Sequence, residues 1–383
     1  MLPKKEVLYI AGNIPLPTRK ENRVVLEIAE TLSNLYDISI IYPKEYCPFP
    51  INRTKKFRYL KGIPALWQDN GIKISSFTYY RLPLQSAAFS MLPLARRAFL
   101  KRLEQTGLPA LIHSHFVLPD AYFGYMAHLA YGIPYIVSIR CSDVANFQKC
   151  HLNKKEFALV IEKAAAVVVH NKSQEDFIKK NFLRDCVLIP HGIDASILKE
   201  KTLVPYKKDI IITVAGSMIS RKRMDWVIRA VKEYKGDRNL TLKIIGDGPE
   251  RQKLEDEAKG RNNIHFYGRL PRKQVCEMLN ESDIFAMPSE KETFGLVYLE
   301  AAANMNAVIA LKDTGVWGVL KEEEEALFIN DYNSFAQKLH LLAENDGLRL
   351  SLAEKSFEKV KTSYTWEKIM ERYDKLYHSV MQG

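Results

Sequence analysis

The chain has 383 residues, 47% of them hydrophobic and 26% charged, with only 18 Gly and 17 Pro. That composition excludes collagen-like, low-complexity and disordered chains, and at roughly 100–200 residues per domain the length predicts two domains. The formal net charge is +11 and it is uneven: residues 1–195 hold 26 Lys/Arg and 16 Asp/Glu (net +10), residues 196–383 hold 30 and 29 (net +1).

In the first half, VLYIAG (7–12) reads as a buried strand, RVVLEIAETLSNL (23–35) as an amphipathic helix and DISIIYP (37–43) as a second strand. Residues 44–100 break the pattern, with several prolines, aromatics and basic residues. They end in SMLPLARRAFLKRLEQ (90–105), a basic amphipathic helix with Leu92, Ala95, Phe99 and Leu103 near one face and Arg96, Arg97 and Lys101 toward the other. Such a helix suits a membrane surface, and equally a surface helix packed on a sheet. ALIHSHF (110–116) is a strand, DAYFGYMAHLAYG (120–132) a helix with a Gly stop, IPYIVSI (133–139) a strand, AAVVVHN (165–171) a strand and CVLIPHGID (186–194) a strand running into a turn. Apolar strands separated by helices predict a parallel sheet covered on both faces.

A second series starts afresh with the strand DIIITVAG (209–216), and runs through LTLKIIGDG (240–248), NIHFYG (263–268), DIFAMPS (283–289) and AVIAL (307–311), each followed or preceded by a helical pattern. The polar stretch 195–208, without clear period, reads as the join. Cys47, Cys141, Cys150, Cys186 and Cys276 form no CxxC, which disfavours zinc and disulfide frameworks. The start has too short an apolar run for a signal peptide, and no stretch reaches roughly 18 apolar residues. These signs predict a cytoplasmic chain with reduced thiols.

PSEKETFGLVYLEAAAN sets Glu292 and Glu300 on either side of a loop-to-helix junction at Phe294, Gly295 and Leu296. Backbone N–H groups at such a junction favour an anion, and a carboxylate one or two turns in can accept ribose hydroxyls. Two ordinary glutamates, one capping and one on a helix surface, are the plain alternative. The block closely resembles the Glu–seven residues–Glu motif of retaining nucleotide-sugar glycosyltransferases of family 4, with Thr293 where Gly is usual. AGSMISRKRMDWVIRA (215–230) resembles that family's diphosphate block, with Lys222 in the place of its lysine, Arg221 beside it, and Arg223 where Gly is common. IIGDGPERQKLE (244–255), NIHFYGRLPRKQ (263–274) and HGID (191–194) resemble further family blocks.

The resemblance implies an α/β chain of GT-B fold: two doubly wound Rossmann-like domains with parallel sheets facing across a cleft. Residues 1–194 would form the acceptor domain, 195–363 the donor domain, and helix 364–383 would pack back on the first. It implies a retaining, metal-independent hexosyltransferase, moving sugar from a nucleoside diphosphate sugar to a hydroxyl of a glycan or lipid-linked acceptor in cell-surface polysaccharide or lipopolysaccharide synthesis. No cofactor and no nucleic acid partner is expected. Glu292, Lys222, Arg221 and His115 would be catalytic, and Gly216, Gly246, Arg269, Leu270, Phe294, Gly295, Leu296 and Glu300 would bind the donor.

Residues 133–144 align with the family's I-P-x-V-x-T-x-H-G-x-D, but Arg140 and Cys141 stand where His-Gly is usual, while Asp143 fits. Arg140, Asp143 and Arg19, with Lys20 beside it, are candidates for an acceptor or phosphate. Arg96, Arg97 and Lys101 are candidates for contact with the inner face of an anionic membrane. The alternatives are a non-catalytic GT-B-like subunit of a polysaccharide assembly complex and a nucleotide-sugar epimerase.

Overall fold

The structure, a computed structural model, describes residues 3–19, 23–46, 53–54, 57–80, 92–149, 154–202, 204, 206–292 and 294–382. Lys20, Cys47, Cys150 and Thr293 lie outside the described residues. The chain divides into two compact units: Met1–His170 with Gln174–Ile189 and Met370–Gly383, and Asn171–Ser173 with Pro190–Ile369. The division falls after Ile189 rather than Asp194, and the C-terminal segment of the first unit begins at Met370 rather than 364.

The first unit contains β1 (Glu6–Ile10), α1 (Val24–Leu32), β2 (Asp37–Tyr46), β3 (Leu66–Asp69), β4 (Ile72–Tyr80), α2 (Leu92–Thr106), β5 (Leu111–Ser114), α3 (Tyr122–Tyr131), β6 (Tyr135–Ser138), α4 (Cys141–Lys149), α5 (Lys154–Lys163), β7 (Ala166–Val169), α6 (Lys172–Phe182), whose first two residues fall in the second unit, and β8 (Val187–Leu188). The sheet order is β3-β4-β2-β1-β5-β6-β7-β8. Only the β3–β4 pair is antiparallel. β5 and β6 are buried at every residue, as central parallel strands must be. The stretch that breaks the alternation holds this β3–β4 hairpin. Its turn is Asn70-Gly71, both at positive φ, which is the strongest short hairpin signal a sequence carries.

The helix α2 lays Ala95, Phe99 and Leu103 into the core, with the Phe99 ring against Phe77 and Phe123 at 5.5 and 5.2 Å. Its apolar face is therefore committed to protein packing, the second of the two readings that the sequence left open. Arg96, Arg97 and Lys101 remain exposed on the other side.

The second unit contains β9 (Asp209–Ala215), α7 (Met224–Glu233), β10 (Asn239–Ile245), α8 (Arg251–Ala258), β11 (Ile264–Gly268), α9 (Arg272–Asn280), β12 (Ile284–Met287), α10 (Leu296–Ala302), β13 (Ala307–Leu311), β14 (Leu327–Ile329), α11 (Tyr332–Glu344) and α12 (Asp346–Ser363). The last helix, α13 (Trp366–Gln382), starts in this unit and ends in the first. The sheet is parallel, in the order β11-β10-β9-β12-β13-β14. Both units are Rossmann-like. Strand order reverses between β1 and β5 in one and between β9 and β12 in the other, and ligands of such sheets bind beyond the strands' carboxyl ends at that reversal.

The 195–208 stretch is no slack tether. Lys199 N–H donates to the Ala303 carbonyl at 2.9 Å. Leu198 packs on Met305, Ala353 and Phe357. Lys201 Nζ donates to the Leu279 carbonyl at 3.2 Å and to that of Ser282, and burial pushes its ammonium down to about 7. The loss of period in the sequence reflects a strap laid over helix ends.

Candidate functional site

In the second unit, β9 and β10 both run out into glycines with positive φ, Gly216 (156°) and Gly246 (136°). A Cβ on Gly246 would land on the Gly216 carbonyl oxygen, so only glycine allows the two loops to meet. Gly216 N–H bonds the Ile245 carbonyl at 2.9 Å, and Gly246 N–H bonds that of Gly268 at 2.7 Å. This backbone floors a pocket of about 220 Å³ lined by Gly216, Ser217, Gly246, Asp247, Arg269 and Leu270.

A helical turn, Ser220–Lys222, follows β9 and returns Lys222 to Gly216, where a Cβ would stand 3.8 Å from Nζ. Lys222 Nζ donates to Glu292 Oε2, and Ser289 Oγ donates to the same oxygen at 3.1 Å. Arg221 Nη1 stands 3.7 Å from it. The Lys222 and Glu292 side chains are 11% and 13% exposed, Arg221 43%. The site thus holds two cations against one carboxylate. Arg223, where the family pattern has Gly, sits in the left-handed region at φ 49° with its guanidinium paired to Glu290 at 2.6 Å.

The Glu292 main chain is held from β13's side. Thr314 Oγ1 accepts the Glu292 N–H at 2.6 Å and donates to its carbonyl at 3.1 Å, and Gly315 N–H donates to the same carbonyl at 3.1 Å. Phe294 is buried edge-on to His191 at 5.2 Å. Gly295 (φ 77°) packs so closely on the Tyr298 ring that a Cβ would lie 2.6 Å from it. Leu296 opens α10, which has only seven residues, so the side-chain cations supply most of the positive charge here.

Glu300 lies on α10 with its side chain 9% exposed, and Arg272 Nε donates to its Oε1 at 2.7 Å. Burial, and then the neighbouring Glu300, push the Cys276 thiol up to about 11. Sequence reasoning missed Arg272 and Thr314. Their signals were a cation just after Arg269-Leu270, and the DTG turn after the last strong apolar strand.

The remaining candidates lie in the first unit. His115, catalytic by the resemblance, is fully buried, its ring 4.3 Å from His113 and 4.6 Å from Tyr9. The buried Arg140 donates from Nε to the His115 carbonyl and from Nη2 to His115 Nδ1, both at 3.4 Å. Asp143 accepts the Arg140 N–H at 2.8 Å and that of Val117 at 3.3 Å, yet burial pushes its carboxyl up to about 7. Asp120, which accepts the Gly12 N–H at 2.9 Å, is held well above the carboxylate range by burial. His113 is pushed down to about 3 by burial and then by Arg140; it is bonded to Tyr377 at 2.6 Å and Ser138 at 2.8 Å. Arg19 lies over the Tyr59 ring at 5.0 Å.

Among the described residues no group of three or more His, Cys, Asp or Glu is placed to hold a metal ion, and no helix is long and apolar enough to cross a membrane.

The family model for "Glycosyl transferases group 1" matches residues 197–359, and that for "Glycosyltransferase Family 4" matches 22–197. The chain is 24% identical over 347 residues to the N-acetyl-alpha-D-glucosaminyl L-malate synthase of Bacillus anthracis, covering 85% of this chain and 87% of that one. It is 29% identical over 168 residues to the lipopolysaccharide core biosynthesis glycosyltransferase LpsD of Rhizobium meliloti, 43% of this chain and 48% of that one. The fold is similar to that of Anabaena HepE in complex with UDP and glucose (TM-score 0.69, 14% identity, 98% of this chain and 100% of that one).

Proposed function

This chain belongs to the family 4 glycosyltransferases, with the two Rossmann-like domains of the GT-B fold, and from that premise we propose that it transfers a sugar from a nucleoside diphosphate sugar to a hydroxyl acceptor with retention of configuration and without a metal. The observation that carries the reading is the Lys222–Glu292 pair, set against Gly216 at the strand reversal with Arg221 beside it. Lys222 and Arg221 neutralise the diphosphate as the sugar C1–O bond breaks, doing electrostatically what Mg²⁺ does elsewhere. Glu292 holds the donor sugar's hydroxyls, and Glu300 the ribose. The base enters the pocket between Gly216, Gly246, Arg269 and Leu270. The acceptor oxygen bonds C1 on the face the diphosphate leaves, and its proton passes to the departing phosphate oxygen.

In the first unit, we assign Arg140 to a phosphate on the acceptor, with His115 and Asp143, buried beneath it, holding its side chain and main chain in place. Arg96, Arg97 and Lys101 bring the exposed face of α2 to the anionic inner surface of a membrane in the cytoplasm. A lipid-linked or lipopolysaccharide acceptor fits that basic half. The second reading, a non-catalytic assembly subunit, is favoured only by Arg140-Cys141 replacing His-Gly.

Nucleotide release from a panel of UDP-, GDP- and ADP-sugars, with and without a lipid-linked acceptor, tests this. Glu292→Ala should cut transfer by about 10³-fold or more with the melting temperature retained. Full transfer in that variant sinks the site assignment, and no release from any donor by the wild type favours the subunit. Activity that survives EDTA supports metal independence; activity restored only by Mg²⁺ refutes it.

A further inference from the structure

The contact between Arg272 and Glu300 supports an inference that rests on reading Glu300 as the ribose carboxylate and goes a step past it. We propose that Arg272 is the positioning residue that lets this chain prefer ribose over deoxyribose nucleotides, by pinning the Glu300 carboxylate in the pose that receives the ribose hydroxyls.

Glu300 is fixed at both ends. Asn304 Nδ2 donates to its backbone carbonyl at 2.8 Å, and Arg272 Nε donates to Oε1 at 2.7 Å, the length of a charge-assisted bond. Arg272 is the first residue of α9, directly after Pro271 and the pocket residues Arg269 and Leu270. The same short segment that lines the pocket therefore also sets the carboxylate. Cys276, one turn along α9, is a neutral thiol that does not compete for the guanidinium.

The pair is lopsided in exposure, with Glu300 nearly enclosed and Arg272 43% exposed. An ion pair with one partner in water adds little to fold stability, so its effect falls on geometry. Rotating the carboxylate would break a charge-assisted bond at Oε1, so the bond to Arg272 restrains its plane. A site arranged to accept a substrate hydroxyl rejects an analogue lacking it, and that rejection needs the acceptor held in place.

The test uses the full chain and measures affinity by calorimetry for UDP, GDP and ADP against their 2′-deoxy and 3′-deoxy forms. The wild type should prefer the ribose form by about tenfold or more at one of the two hydroxyls. Arg272→Ala should reduce that ratio to about twofold or less while the deoxy form binds within about twofold of wild type. Arg272→Lys should retain an intermediate ratio, Glu300→Gln should lose it, and the double variant should lose no more. If Arg272→Ala keeps the full ratio while Glu300→Gln loses it, the role of Arg272 is overturned and Glu300 stands. Equal loss for ribose and deoxyribose forms in Arg272→Ala makes it a general anion contact and also overturns the proposal. A ratio that survives Glu300→Gln overturns the ribose reading itself, and Arg272's role with it.

Discussion

The two strand reversals of this molecule are built on opposite principles. Beyond β9 and β10 the chain is bare backbone, Gly216 and Gly246, beside the nearly buried Lys222–Glu292 pair and the half-exposed Arg221. At the carboxyl ends of β1 and β5 it is a packed polar core, in which His113, His115, Asp120, Arg140 and Asp143 are all withdrawn from solvent. The same topology therefore yields one end with glycine backbone and a half-exposed arginine, and another whose ionisable groups are desolvated. Sheet order says where a site can be; only the side chains say what kind it is.

The largest test of that contrast is Lys222→Ala, which removes the buried cation and leaves Glu292 half-paired. A loss of about 10²–10³-fold in kcat/KM is expected, with Lys222→Arg recovering part of it. An unaffected variant would place the chemistry elsewhere. Next is Gly246→Ala, which forces a Cβ onto the Gly216 carbonyl. Steric and backbone strain of about 1–3 kcal/mol should lower the melting temperature, and nucleotides should no longer raise it. A normal thermal shift with UDP, GDP or ADP would break the case for a backbone floor.

The first unit is probed by pH. His113 is neutral when folded and titrates near 6.5 when unfolded, so its contribution is lost as pH falls below 6.5. Asp143, raised to about 7 from 3.8, acts oppositely: its folded form keeps a proton the unfolded chain releases, so stability is gained as pH falls from 7 toward 4, and Asp120 acts in the same direction. His113→Gln should thus steepen the gain on acidification by about 2 kcal/mol between pH 6.5 and 5, read from urea unfolding. An unchanged slope would mean that His113 does not titrate as buried. The smallest effect is expected from reversing Arg96, Arg97 and Lys101 to Glu. The melting temperature should stay within about 2 °C, since exposed charges contribute little to folding, while binding to anionic vesicles falls and transfer to a soluble acceptor is unchanged.

Much of this was legible before the structure. The apolar strands of both sheets, the glutamate block and Lys222 follow from patterns whose spacing is local. Arg272 and Thr314 left only weak local signals, because each acts through a partner 28 or 22 residues away, Glu300 and Glu292 respectively. The hairpin at Asn70-Gly71 was legible in principle, but prolines on either side of it hid the strands. The depth of His115 and Arg140 was not, since an H-x-H at a strand end reads the same whether its imidazoles face solvent or a core.

The glycine floor also constrains how this protein can change. Where two loops touch through main chain alone, there is no side chain to exchange, and almost every single substitution there is a dead end. Drift in what the pocket accepts must come through the side chains on its walls, among them Ser217, Asp247, Arg269, Leu270 and Val275. A library meant to retune it should randomise those positions and leave Gly216 and Gly246 alone.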